Sequence, residues 1–178
     1  LLNMIIESDN DEARTHIGWF FWTLPKKGSN YEEDINLSFE YLDKIADRYT
    51  REAFNRAAYF VNDRIKERPE QSLRLWEKIT RNEQAWISEN YKTLERSSWW
   101  SHHYNDDFLI TAKELAGDEK YLEMLEIILS YPEGYQPMFK PQLHYDILRQ
   151  IKIDEAKTVL DKLKASYPSL YAKDIDEN

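Results

Sequence analysis

Apolar residues recur at steps of three and four from residue 31 onward, the period of an amphipathic helix. Asn30 followed by Glu33 forms a capping pair, after which Ile35, Phe39, Leu42, Ile45 and Tyr49 make one apolar face. Thr50 is placed to cap a second helix whose Phe54, Ala58, Val61 and Ile65 keep the spacing up to Pro69, because a residue before proline avoids α geometry. Pro69 then opens a third helix with Leu73, Trp76 and Ile79 inward, and Asn82 caps a fourth carrying Ile87, Tyr91 and Leu94. The pattern breaks after Arg96. The stretch 97–107 (SSWWSHHYNDD) is the least periodic internal segment and is expected to join a first helical group, 1–96, to a second, 108–172, with a tail at 173–178.

In the second group, Phe108, Ala112 and Leu115 form a face that stops at Gly117, a residue suited to a helix end. Asp118 begins a new helix whose segment 121–129 is apolar nearly all round, the mark of an element packed on more than one side. Asp118-Glu119 up to Ser130-Tyr131-Pro132 is echoed 36 residues later by Asp154-Glu155 up to Ser166-Tyr167-Pro168, with Met124 and Ile127 aligned to Leu160 and Leu163. One further step back lands on Asn82-Glu83. Each echo starts with a capping side chain and an acid that favours the positive helix end, and two finish at a proline. This spacing suits a two-helix repeat. The pattern as a whole predicts a single all-α domain of stacked antiparallel helical hairpins, either α-solenoid-like or a compact bundle.

At the other end, Ala13–Leu24 (ARTHIGWFFWTL) reads as a buried helix leading into the loop 25–29, with a strand as the alternative, since short apolar runs fit both. Together with Arg68–Trp76 (RPEQSLRLW), this stretch resembles the HEAT- or tetratricopeptide-like helical arrays found C-terminal to the nucleotide-switch (STAND-type) ATPase of large bacterial defence and signalling proteins. The resemblance covers residues 13–80. It implies a sensing or docking portion, with any ATPase elsewhere, and no Walker-type glycine-rich loop occurs in this chain.

Composition narrows the classes. Only four Gly and six Pro are present, too few to turn an all-β chain, and six Trp, twelve Tyr and seven Phe need burial or a partner. The absence of Cys removes disulfides, thiolate nucleophiles and Cys-based zinc sites, and fits a cytoplasmic protein. The densest apolar run, Ile17–Leu24, is far short of the roughly 20 residues that span a bilayer, so no membrane partner is expected. A net charge of −9 disfavours nucleic acid, whose binding rests on Lys and Arg at phosphates, and suits a basic protein partner. Because the chain starts at Leu1, it is expected to be a piece of a longer protein.

Candidate chemistry gathers in 96–107. His102 and His103 precede Asp106 and Asp107 by four residues, which on a helix would pair imidazole with carboxylate, but a metal site needs further ligands and none is expected. Arg96 and His102 resemble the Arg-x4–6-His signature of HEPN-type RNases, small all-α proteins; the resemblance implies His102 in general acid–base work and Arg96 on the scissile phosphate. Trp99 and Trp100 cannot both face one helical stripe, so with His103 and Tyr104 they form the candidate binding surface. No nucleophile with an ordered base and no cofactor motif occurs. The expected function is therefore a non-enzymatic helical repeat domain that binds a protein, with an exposed aromatic patch and no convergent titratable cluster. A small acidic immunity or antitoxin protein neutralising a basic toxin, and a HEPN-like RNase, are the alternatives. Oligomeric state stays open.

Overall fold

The computed structural model describes residues 2–8, 10–24, 30–48, 51–93, 106–132, 135 and 139–175. The regular structure among them is helical: α1 (Leu2–Glu7), α2 (Asp11–Thr23), α3 (Tyr31–Ala46), α4 (Arg51–Arg64), α5 (Pro69–Asn90), α6 (Asp106–Leu129), α7 (Pro141–Leu148), α8 (Asp154–Ser166) and α9 (Pro168–Ile175). They belong to two compact units, 1–89 and 90–178. The junction expected at 97–107 lies, up to residue 105, outside the described residues.

In the first unit, α3 buries Ile35, Phe39, Leu42 and Ile45, the face that the spacing predicts. Asn30 stands at the N-cap of this helix without a side-chain cap bond; Asn10 caps α2, accepting from the Ala13 amide at 2.9 Å. Ala58, Val61 and Ile65 of the second predicted helix are buried, and Phe60 meets Phe39 edge-on with ring centroids 4.8 Å apart. Phe21 of α2 stacks on Tyr41 of α3 at 4.7 Å, and α2 packs chiefly on α4.

The expected third and fourth helices are one. The α5 helix runs unbroken through Asn82, burying Leu73, Trp76, Ile79 and Ile87. Asn82 is no cap: its Nδ2 donates to the Ala46 carbonyl at 2.7 Å, satisfying an acceptor that the end of α3 leaves without an intrahelical partner. Three of the next four contacts, all but Lys78–Asp47, keep nearly the same offset. The Tyr31 hydroxyl donates to Glu67, Arg68 pairs with Glu32, and Lys78 Nζ lies 2.9 Å from Asp43 Oδ2 and 2.8 Å from Asp47 Oδ1. Residue i meets a residue about 36 further on from the start of α3 to its end, so the segment 67–82 lies alongside α3, running in the same direction.

In the second unit, α6 is interrupted at Gly117, with φ 85° and ψ 179°. Side chains are strained at that φ, so glycine is required for the backbone itself; a Cβ would have open space. Before the break Phe108, Leu109 and Ala112 are buried, while Leu115, expected on that face, is exposed. After it Tyr121, Leu122, Met124, Leu125, Ile127 and Ile128 are all buried, as an element apolar nearly all round requires. The echo occupies this segment and α8, which pack together, and Glu126 Oε1 receives Lys162 Nζ at 2.6 Å, again 36 residues on. Tyr145 of α7 stacks on Tyr171 of α9 at 4.7 Å.

Candidate functional site

Three buried or half-buried polar side chains of the second unit converge. Asp106 sits in the first turn of α6, His144 lies in the middle of α7, and Tyr121 follows the Gly117 break. The Tyr121 hydroxyl is 2.6 Å from His144 Nδ1, and His144 Nε2 is 3.1 Å from Asp106 Oδ1. Asp106 Oδ1 also accepts from the Lys140 amide at 2.9 Å, and Lys140 Nζ lies 3.4 Å from Oδ2. A carboxylate only accepts, so the imidazole proton is assigned to Nε2, leaving Nδ1 to accept from the tyrosine. Tyrosine, neutral histidine and carboxylate thus form one directional chain.

The electrostatics agree with that assignment. Burial alone would raise the Asp106 carboxyl, but the Lys140 amide and His144 hold it below the usual carboxylate value. Desolvation is the largest influence on His144 and pushes it below its ordinary value against the opposing pull of Asp106. Burial pushes the Tyr121 hydroxyl up, with Asp106 and Asp118 adding to it. His144 and Tyr121 are fully buried, and the Asp106 side chain is 12% exposed. Asp106 ties the start of α6 to the start of α7.

The surface offers different chemistry. On α2, Trp19 and Phe20 are 41% and 51% exposed, and Met4 of α1 is exposed as well. Trp19 packs at 4.9 Å on Trp22, which reaches Tyr59 at 5.7 Å and donates its indole N–H to Asp63 at 3.1 Å. The sequence reading placed this helix in the interior; Arg14, Ile17 and Phe21 are buried, but a helix apolar on adjacent faces cannot hide Trp19 and Phe20 behind the same stripe.

Two neighbouring concavities line α8 and share Ile153. One, of about 380 Å³ between α6 and α8, has an apolar floor of Leu122 and Val159 under Glu119, Glu123, Glu126 and Glu155. The other, of about 580 Å³ at the α7–α8 connection, is lined by Arg149, Lys152 and Lys157 together with Asp154, over Ile151 and Leu160.

Of the residues singled out in the sequence, Arg96, Trp99, Trp100, His102, His103 and Tyr104 lie outside the described residues. Asp106 is described, and its imidazole partner is His144, 38 residues away. His16 is exposed, 3.9 Å from Glu12 on the same helix. No group of three His, Asp or Glu side chains among the described residues could hold a metal ion, and no helix among them is long and apolar enough to cross a membrane. The Asp106–His144 pair had one sequence signal, an acid at a helix start and a histidine on the apolar face of another, but periodicity does not say which helices meet. No family model, curated protein or solved structure matches the chain.

Proposed function

We propose that this chain is a non-enzymatic α-helical interaction domain that binds another protein through the outer face of α2, as the sensing or docking portion of a larger bacterial signalling or defence protein acting in the cytoplasm. The observation that carries the reading is the exposure of Trp19 and Phe20 side by side on one helix. Aromatic side chains dominate the energetics of protein interfaces, and large ones left in water mark surfaces that a partner covers. The near-36-residue offset from α3 to α5, and again from α6 to α8, supports a repeat architecture, which offers extended surfaces for recognition.

The immunity or antitoxin reading asks for acids gathered in one patch. Acids instead recur in the first turns of α3, α6 and α8, where each favours its own helix end. The RNase reading rests on Arg96 and His102 alone. Purified wild-type chain is expected to leave RNA intact; cleavage abolished by His102→Ala would reinstate it.

The α2 face is tested with a photo-crosslinking residue at Thr23, exposed at the end of α2, and at Glu70, exposed at the start of α5. The Thr23 position is expected to trap a discrete protein in cells and the Glu70 position none. The trapped protein, purified, is expected to bind wild-type chain at least about tenfold more tightly than a Trp19→Ala/Phe20→Ala variant. Equal binding to both, or no adduct at Thr23, overturns the proposal.

A further inference from the structure

The two concavities on α8 adjoin at Ile153 and differ in charge: four glutamates line one, whereas Arg149, Lys152 and Lys157 outnumber Asp154 in the other, in a chain whose net charge is −9. On the acidic side Glu123 and Glu126 are engaged, by Lys120 at 2.8 Å and Lys162 at 2.6 Å. Glu119 and Glu155 are exposed and have no ion pair among the described residues. On the basic side Arg149 lies over the Tyr145 ring, while Lys152 and Lys157 are exposed and likewise have no ion pair among the described residues. Half-buried apolar side chains, Ile151, Ile153 and Leu160, run between the charged groups.

We infer that this face of the second unit is a self-complementary docking surface, and that its occupant is a second copy of this chain. A two-fold interface brings one patch onto itself, so that a residue at i meets j and j meets i. When acidic and basic halves adjoin, an axis along their boundary lays the acidic half of each copy over the basic half of the other. Here the axis passes Ile153. The Lys152 and Lys157 arms of one copy then reach Glu119 and Glu155 of its partner, with their aliphatic stems over Leu122 and Val159, and the arrangement occurs twice. Charges that have no ion pair among the described residues become paired between two copies, and the isoleucine edge is covered from both sides. An interface held by charge pairs at its rim gives a reversible, salt-sensitive dimer. The inference uses only the second unit and holds whether or not the α2 face takes a partner.

Sedimentation over a concentration series at low salt tests it, with two charge reversals made at exposed positions: Glu119→Lys/Glu155→Lys and Lys152→Glu/Lys157→Glu. Wild-type chain is expected to form dimers that added salt weakens. Each reversal is expected to weaken self-association at least tenfold, and an equimolar mixture of the two is expected to form the mixed dimer. Because new lysines oppose the helix ends, Glu119→Gln/Glu155→Gln serves as a second acidic-side variant and is expected to weaken dimerisation with unchanged circular dichroism. A wild-type chain monomeric up to its solubility limit overturns the inference. So does a reversal that dimerises like wild type, or a mixture that stays monomeric. Poly-L-lysine is the competing probe: if Glu119→Lys/Glu155→Lys loses poly-L-lysine binding while dimerising normally, the groove serves a basic partner and the inference falls.

Discussion

At the scale of single residues, Asp106 and His144 bind fewer protons in the folded chain than their ordinary values of 3.8 and 6.5 imply. For a depressed histidine, stability is fully present above the unfolded value and declines as pH falls below about 6.5, where the unfolded chain takes up a proton that the buried imidazole refuses. For the depressed carboxyl, the contribution is present above 3.8 and is lost as pH falls through the lower folded value. Denaturant unfolding is therefore expected to show falling stability in two acid steps, the first near neutrality. His144→Gln should remove the first step and keep the second; a first step of unchanged size in that variant assigns it elsewhere. Asp106→Asn turns an acceptor of several donors into a poorer one and is expected to cost about 1–3 kcal/mol, read from the urea midpoint. None of this was legible from spacing, because the four-residue rule linked Asp106 to His102, whereas the structure reaches over a whole helix to His144.

Elements were far more legible than their partners. Burial of Ile35, Leu42 and Ile45, of Val61 and Ile65, and of Met124 and Ile128 follows from period alone, since a stripe at 3.6-residue spacing has to face something. Punctuation was less secure. Asn82 looks like a cap because Asn and a following Glu are common at helix starts, yet with good helix formers on both sides nothing stops α5 there, and the amide turns outward to the end of α3. Gly117 was read correctly as a break, and its backbone sets a prediction: Gly117→Ala is expected to destabilise by about 1–3 kcal/mol in chemical denaturation, with no steric clash to share the blame. An unchanged midpoint would mean that the chain relaxes to a continuous helix. Lys78→Met keeps the stem but removes the cation between Asp43 and Asp47. Since the site is only partly screened from water, the expected loss is about 1 kcal/mol, shrinking as salt is added.

For the molecule as a whole, the aromatic content predicted from composition divides between core and surface. Trp76 and Tyr121 fill the interiors of their units, whereas Trp19 and Phe20 leave about half of their surface in water. Replacing the latter pair with alanine is expected to cost about 1–2 kcal/mol for the half of each ring that is buried, while lowering the binding of an apolar dye such as ANS. A large drop in melting temperature would instead assign those rings to the core. Six of the residues singled out as candidate sites fall in 96–104, whereas the exposed aromatic face is on α2, a helix that the sequence pattern predicts to be buried.

The near-constant offset of about 36 residues also governs how the chain finds its structure. Among the described residues, hydrogen bonds that join one helix to another, from Tyr121–His144 at 23 residues to Trp22–Asp63 at 41, close loops of modest length. Loop closure is then cheap, and each unit can nucleate from neighbouring hairpins without waiting for distant parts of the chain. Refolding on the millisecond scale or faster is the kinetic signature such a layout carries, and the first unit, 1–89, holds both the α2 and the α4 partners of α3.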